Sequence, residues 1–401
     1  MTDVDKQRIP PGIFLRIIIP ITMLVPVAAI LMRLGVWHGG AGTEALVFGI
    51  GLLAAAFMLS WAAEVVQMDI APGFALAILA LIAVLPEYAV DMVFAWKAAD
   101  DPTFAPLALA NMTGANRLLI GLGWPMVLVL FFMRSRKKAL QLDHEHGTEV
   151  FYMACATVYA FSIPFRGRLS LFDAAVLIAI FVLYIMRTMR ASVEEPELVG
   201  PAAIVGRMNK KRRRAVTAGL FAYSGAIILM SAEPFAESLV AFGRQAGIDE
   251  FLLVQWLAPL ASEAPEFMVA AIWASRHQAQ AAMGALISSK VNQWTLLVGT
   301  LPIVYSLSAG RLAALPLDFR QDHEIWLTAG QSIFAVAILA NLKISWYGAI
   351  FLAGLFLAQL IVADIRMEVF WIYLAFAVLI LIRDRRRIPS LIKTGLNFRH
   401  S

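Results

Sequence analysis

Cysteine is almost missing from these 401 residues. Cys155 is the only one, so no intrachain disulfide can form and the redox compartment is not indicated. Charge is scarce as well: Lys, Arg, Asp and Glu make up 15% of the chain, where a soluble protein carries about a quarter. No Gly-rich nucleotide loop, metal-type His pair or nucleophile elbow occurs, which argues against an enzyme, an intramembrane hydrolase included. No small-residue cleavage site closes the first apolar run, so that run reads as a retained helix and not a signal peptide.

What fills the sequence instead is apolar. Hydrophobic residues make up 60% of it and the mean hydropathy is +0.75. Runs of about 20 apolar residues recur, each long enough to cross a bilayer. The implied fold class is an all-α polytopic membrane protein with about twelve transmembrane helices. They are expected near 13–34, 43–66, 70–97, 104–133, 149–164, 170–189, 214–240, 250–275, 280–308, 325–342, 345–363 and 367–383.

The formal charge of +5 sits mostly in the expected loops, so the partner it points to is the lipid bilayer and not nucleic acid. Lys6, Arg8, RSRKK (134–138), KKRRR (210–214), Arg276, Lys343 and RDRRR (383–387) fall on one side if both termini are cytoplasmic. That is the positive-inside arrangement. It makes the chain an expected integral membrane protein of a bacterial-type inner or plasma membrane. The polar stretch 191–214 divides the chain almost in half.

The halves resemble each other. ALIAVLPEYAVDMVFAWKA (80–98) aligns with PLASEAPEFMVAAIWASRH (259–277), and TGANRLLIGLG (113–123) with SKVNQWTLLVG (289–299). Pro86 then falls on Pro265, Glu87 on Glu266, Asn116 on Asn292 and Gly123 on Gly299. Spans three and four match spans eight and nine, an odd offset, so the second copy is expected to enter the membrane from the opposite side.

The chemistry concentrates at the repeat centres. Pro86 and Pro265 have no N–H and free the carbonyls of Ile82 and Ala261, which is tolerated at membrane depth only when buried or facing a wet cavity. Beside each proline stands a carboxylate, Glu87 or Glu266. Hard cations take carboxylate, carbonyl and amide oxygens, a proton carrier takes a buried carboxyl, and intramembrane acids are costly. Asp91 and Glu263 have no counterpart in the other copy, but each lies one helical turn from its neighbouring Glu. Asn111 is the best amide candidate. Gly114, Gly121 and Gly123 read as close-packing positions, and Glu64, Glu233 and Glu237 as interfacial.

Two cations sit in the same segments, and neither can be buried unpaired. Arg117 reads as one member of a static structural pair. Lys290, which replaces Gly114 in the alignment, has two readings: a structural pair, or an ammonium near Glu263 or Glu266 that acts as a tethered surrogate cation.

At these residues the chain resembles the cation/Ca²⁺ exchanger superfamily, which includes sodium/calcium and proton/calcium exchangers. That family carries two inverted repeats, each reading roughly G-T-S-x-P-E and then G-N-x-x-G-S-N. Here the first copy shows AVLPE and ANMTGAN, the second SEAPE and LISSKVN. The resemblance implies ion-binding roles for Glu87 and Glu266, with Asn111 as an amide ligand and Ser262 and Glu263 in the places of the Thr-Ser pair. Ala83 and Val84 fill those places in the first copy, and Ile287 stands opposite Asn111.

It also implies a ten-helix core of two inverted five-helix repeats, 39–191 and 214–364. An extra N-terminal helix (1–38), a basic cytoplasmic linker (192–213) and an extra C-terminal helix with a basic tail (365–401) complete the chain. The expected function is a secondary-active antiporter moving Ca²⁺ against Na⁺ or H⁺ by alternating access, with transported inorganic cations and no resident cofactor. The alternatives are a Na⁺/H⁺ antiporter and a non-transporting relative plugged by Lys290.

Overall fold

The computed structural model describes residues 17–69, 84–189, 198 and 200–396. Ile82, Ala83, Lys6, Arg8, the first half of the expected third span and most of the acidic part of the 191–214 stretch lie outside these. Over its described residues, each of the twelve expected spans overlaps helix. Among the described residues four helical stretches, Ala41–Val66, Pro102–Ser135, Leu171–Thr188 and Lys210–Ala246, are long and apolar enough to cross a bilayer, and Ile19–Arg33 and Trp346–Ile361 are shorter apolar helices.

The first half contains α1 (Ile19–Arg33), α2 (Ala41–Val66), α3 (Leu85–Lys97), α4 (Ala105–Leu118), α5 (Trp124–Ser135), α6 (Gly147–Ala160) and α7 (Leu171–Thr188). A short helix α8 (Gly200–Gly206) precedes the second half: α9 (Lys210–Ala246), α10 (Glu250–Ser275), α11 (Ala279–Asn292), α12 (Val298–Ser308), α13 (Phe319–Leu339) and α14 (Trp346–Ile361). Helices α15 (Arg366–Arg383) and α16 (Ile388–Leu396) follow.

The basic run 210–214 is not a loop. It forms the first turns of α9, capped by the Asn209 side chain, which accepts from the Arg212 amide. At 37 residues α9 extends roughly 55 Å, well beyond the ~30 Å hydrocarbon core. Asp69, just past α2, accepts from Arg213 at 2.9 and 3.0 Å and from Arg214 at 3.1 Å. The Arg213 hydrogen bonds hold its carboxyl below the ordinary range.

The two halves share a backbone idiosyncrasy. Helices α4 and α5 join through a π-helical turn at Leu119–Gly123, and α11 and α12 through another at Gln293–Leu297. Such turns insert one residue into the helical ladder and re-aim the side chains beyond it. In both halves the turn lies within the second repeated segment, 113–123 or 289–299.

Two small antiparallel sheets tie the halves together. Strand β1 (Ala139–Gln141) pairs with β4 (Lys343–Ser345), and β2 (Arg168–Leu169) with β3 (Leu315–Pro316). Exchanging the halves, so that β1 becomes β3 and β2 becomes β4, converts one sheet into the other. They sit at opposite ends of α6, because β1 precedes that helix and β2 follows it.

Among the interior helices, α9 lies along α2, and α10 packs on α4. The α4–α10 crossing is close at Gly114, where a Cβ would come within 1.8 Å of the Gln255 backbone carbonyl. Glycine there lets two site-bearing helices touch. The extra helix α15 is clamped to α13, with Phe370 seated over Gly330.

Candidate ion site

Four helices bring the acidic and amide side chains together. On α3, Pro86 lies in the first helical turn, where its missing N–H costs nothing, and Glu87 and Asp91 follow one turn apart on one face. On α10, Pro265 lies inside the helix instead and removes one rung of its ladder, next to Glu263 and Glu266. Helix α4 supplies Asn111, and the π-turn after α11 supplies Gln293.

Glu87, Asp91, Asn111 and Glu263 are buried, at 2, 0, 0 and 2% exposure, with Glu266 partly so. The carboxyls of Glu87 and Glu263 meet at hydrogen-bonding reach, and Asp91 and Glu266 stand close enough to act on Glu87 electrostatically. Asn111 Nδ2 donates to Asp91 Oδ1 at 2.7 Å, and Gln293 Nε2 donates to Glu263 Oε1. What remains is a set of buried oxygens that have no hydrogen-bond donor among the described residues: both of Glu87, Asp91 Oδ2, Asn111 Oδ1, Glu263 Oε2, Glu266 Oε2 and Gln293 Oε1. Buried acceptors are rarely left so, and oxygen atoms in this number suit a hard cation or protons. Among the described residues no three His, Cys, Asp or Glu side chains form a ready-made metal cage. The site is therefore a cross-repeat carboxyl pair surrounded by single acids and amides.

Ser262 is buried beside Glu263, but its hydroxyl donates back to the Ala258 and Pro259 carbonyls at 3.3 and 3.2 Å. Its lone pairs stay available to a ligand; its proton does not. Each repeat also reaches into the other. Tyr88 Oη donates to Asn292 Oδ1 at 2.9 Å, and Lys290 Nζ donates to Asn116 Oδ1 at 2.7 Å.

Arg117 and Lys290 are both fully buried and differ in how they are held. Arg117 pairs with Glu324 of α13, donates to Gln359 Oε1 at 2.8 Å and lies 5.1 Å from the Trp256 ring. Glu324 also accepts from Gln255 at 2.9 Å and pairs with Arg366 of α15 at 2.9 Å. Lys290 is held otherwise than Arg117. Its ammonium contacts the Asn116 amide oxygen and lies 4.4 Å from the Trp294 ring centre, with no carboxylate within ion-pair distance among the described residues.

Two residues of this picture escaped the sequence reading. Gln293 was hidden because the alignment sets it opposite Arg117, an unlike side chain. Glu324 fell one residue before the expected tenth span, although the Asp318–Gln321 capping box places that helix's start at Phe319. Glu64 is buried in the last turn of α2, whereas Glu233 and Glu237 are half-exposed and pair with Lys97, Glu233 also with Arg33.

Comparison with known proteins gives a consistent answer. The model of the family described as sodium/calcium exchanger protein matches residues 45–190 and 216–363. The crystal structure of an H⁺/Ca²⁺ exchanger, CAX, is 45% identical, with 93% of this chain and 95% of that chain covered and a TM-score of 0.90. The structure of native YfkE is 17% identical over 85% of this chain and 98% of that one, with a TM-score of 0.59. The sodium-calcium exchanger NCX_Mj is 17% identical over 80% and 98%, with a TM-score of 0.53. The last two likenesses show the fold alone. No curated protein matches the chain.

Proposed function

We propose, from the premise that this chain belongs to the sodium/calcium exchanger protein family, that it exchanges Ca²⁺ for protons across a membrane by alternating access. The observation that carries the reading is the meeting of Glu87 and Glu263 across the repeats. Two carboxylates repel at that distance unless a proton or a cation lies between them. A pair that shares a proton when no metal is bound, and gives it up when one arrives, couples the two ions by competition.

In this mechanism Glu87, Glu263 and Glu266 bind the ion, with Asp91, Asn111, Ser262 and Gln293 as supporting oxygens. The freed carbonyl of Ala261 adds a backbone ligand. Pro86 and Pro265 shape the helices at the site, so that the same oxygens can be offered to either face. The interchangeable β1–β4 and β2–β3 sheets support an inverted arrangement of the halves, in which the site opens alternately to each side. Likeness to the H⁺/Ca²⁺ exchanger favours the proton over Na⁺ as counter-ion.

One observation favours a second reading, Na⁺/H⁺ exchange. The buried ammonium of Lys290 lies within electrostatic range of Glu87 and Glu263 and opposes a divalent ion there. Flux into proteoliposomes separates the two. Radioactive Ca²⁺ and Na⁺ would be followed under imposed pH and Na⁺ gradients, with Glu266→Gln as the inactive control. A pH gradient should drive Ca²⁺ uptake. In Glu266→Gln that uptake should drop by more than the roughly 10–100-fold that loss of an outer-shell partner costs a metal site. Proton-coupled Na⁺ movement without Ca²⁺ would establish the second reading, and wild-type rates in Glu266→Gln would overturn the site.

A further inference from the structure

Resting on the exchange reading above, we infer that Lys290 is a built-in mobile cation: its ammonium occupies the carboxyl pair when the site is empty and retreats onto Asn116 and Trp294 when a transported ion enters. A buried ammonium has three donors and, like any buried charge, needs an opposite charge or several strong acceptors. Among the described residues Lys290 Nζ has one side-chain acceptor, the neutral Asn116 Oδ1 at 2.7 Å, and one aromatic face, Trp294, at 4.4 Å. Both hold a cation weakly compared with a carboxylate.

Arg117 provides the contrast within the same pair of segments. Its guanidinium is fixed by Glu324, by Gln359 and by the Trp256 face, each from a different helix. Arg117 has the geometry of a structural charge and Lys290 that of a parked one. The carboxyls that would neutralise Lys290, Glu87 and Glu263, act on it electrostatically and carry three donor-free buried oxygens between them. A flexible four-carbon stem with rotatable donors can make that move.

The repeat explains why only one copy has this device. Gly114 occupies the equivalent position of α4, and any Cβ there would strike the Gln255 carbonyl. The first copy has no room for a side chain at the position where the second carries Lys290.

The consequence is a change in what must cross the membrane. An antiporter with a bare anionic site cannot reorient empty, because unpaired buried charges are expensive. With its own cation supplying part of that charge, the return step needs one fewer mobile cation, so fewer protons cross per Ca²⁺.

The test compares two fluxes in proteoliposomes: Ca²⁺ efflux into Ca²⁺-free, alkaline, Na⁺-free solution, and Ca²⁺/Ca²⁺ exchange. The ratio of the first to the second should fall at least about tenfold in Lys290→Gln, the change expected when the empty site loses about 1.4 kcal/mol or more of neutralisation. An unchanged ratio would overturn the mobile cation while leaving the exchanger intact, and Ca²⁺ transport only after Lys290 is replaced would make it a static plug. Absence of Ca²⁺/Ca²⁺ exchange in the wild type would count against the exchanger reading itself and remove the inference with it.

If Lys290→Gln does not fold, Asn116→Ala serves. Removing the parking oxygen should bias Lys290 toward the carboxyls and raise the Ca²⁺ dissociation constant. Unchanged or tighter Ca²⁺ binding in that variant would overturn the proposal.

Discussion

At the scale of single residues, this interior keeps two kinds of buried charge apart. The first is ion-paired: Glu324 pairs with both Arg117 and Arg366 and accepts a hydrogen bond from Gln255. Breaking such a network by removing one partner strands the others, which typically costs about 3–5 kcal/mol. Glu324→Gln should accordingly lower thermal stability by that order in a detergent unfolding assay. Removing Arg244 from its exposed pair with Glu250 should cost about 1 kcal/mol or less. Equal effects of the two changes would show that the buried network is not a structural tie. The second kind of charge is unsaturated, the acids around Glu87, and that is where an ion has something to gain.

Sequence alone exposes the second kind and hides the first. Glu87 and Glu266 stand out because each adjoins a proline in an oily run, twice over. Glu324 does not stand out: nothing in one sequence pairs an acid at a helix start with arginines more than 200 residues before and 42 residues after it. Lys290 is intermediate. Its presence in the second repeat is plain, but its resting place on Asn116 and Trp294 depends on how α4 and α11 face each other, which no periodicity encodes.

At the scale of elements, close helix contacts set the site geometry. The α4–α10 contact is the tightest test, since the Gln255 backbone at Gly114 cannot swing aside as a side chain could. Gly114→Ala should cost about 1–3 kcal/mol by overpacking, and it should also impair Ca²⁺ exchange by parting Asn111 from the α10 acids. Gly219→Ala meets nothing within 4 Å and serves as the neutral comparison. Thermal unfolding and flux on the same preparations check both effects. Full exchange in Gly114→Ala would mean that the contact is incidental.

Helix positions were legible because apolar runs are long and uninterrupted, and over the described residues all twelve expected spans overlap helix. The errors lie where polarity misleads. The KKRRR run reads as a loop by composition, yet it is helical, stabilised by the Asn209 cap and the Asp69 ion pairs. The π-turns at Leu119–Gly123 and Gln293–Leu297 were invisible, since one extra residue in a helical ladder leaves no compositional mark.

At the scale of the whole molecule, the two small sheets make a prediction about topology. If the halves are inverted copies, the β1–β4 and β2–β3 sheets belong to opposite membrane faces. In a Cys155→Ala background, Lys137→Cys near β1 and Leu312→Cys near β3 should react with an impermeant maleimide from opposite sides of oriented vesicles. Both positions are exposed, Leu312 at 89%. Labelling of both from one side would contradict the inverted arrangement. The repeat itself was readable from Pro86–Glu87 and Pro265–Glu266; its handedness in space rests on strand pairings that no alignment of the halves contains.

The central claim is that Ca²⁺ and protons compete for one set of buried carboxyls, and calorimetry tests it without requiring transport. Ca²⁺ would be titrated into the purified protein in two buffers of different ionisation enthalpy, which counts the protons released on binding. The account predicts release of about one proton or more per Ca²⁺, with both binding and release lost in Glu87→Gln. Ca²⁺ binding with no proton release, or binding undisturbed by Glu87→Gln, would contradict it.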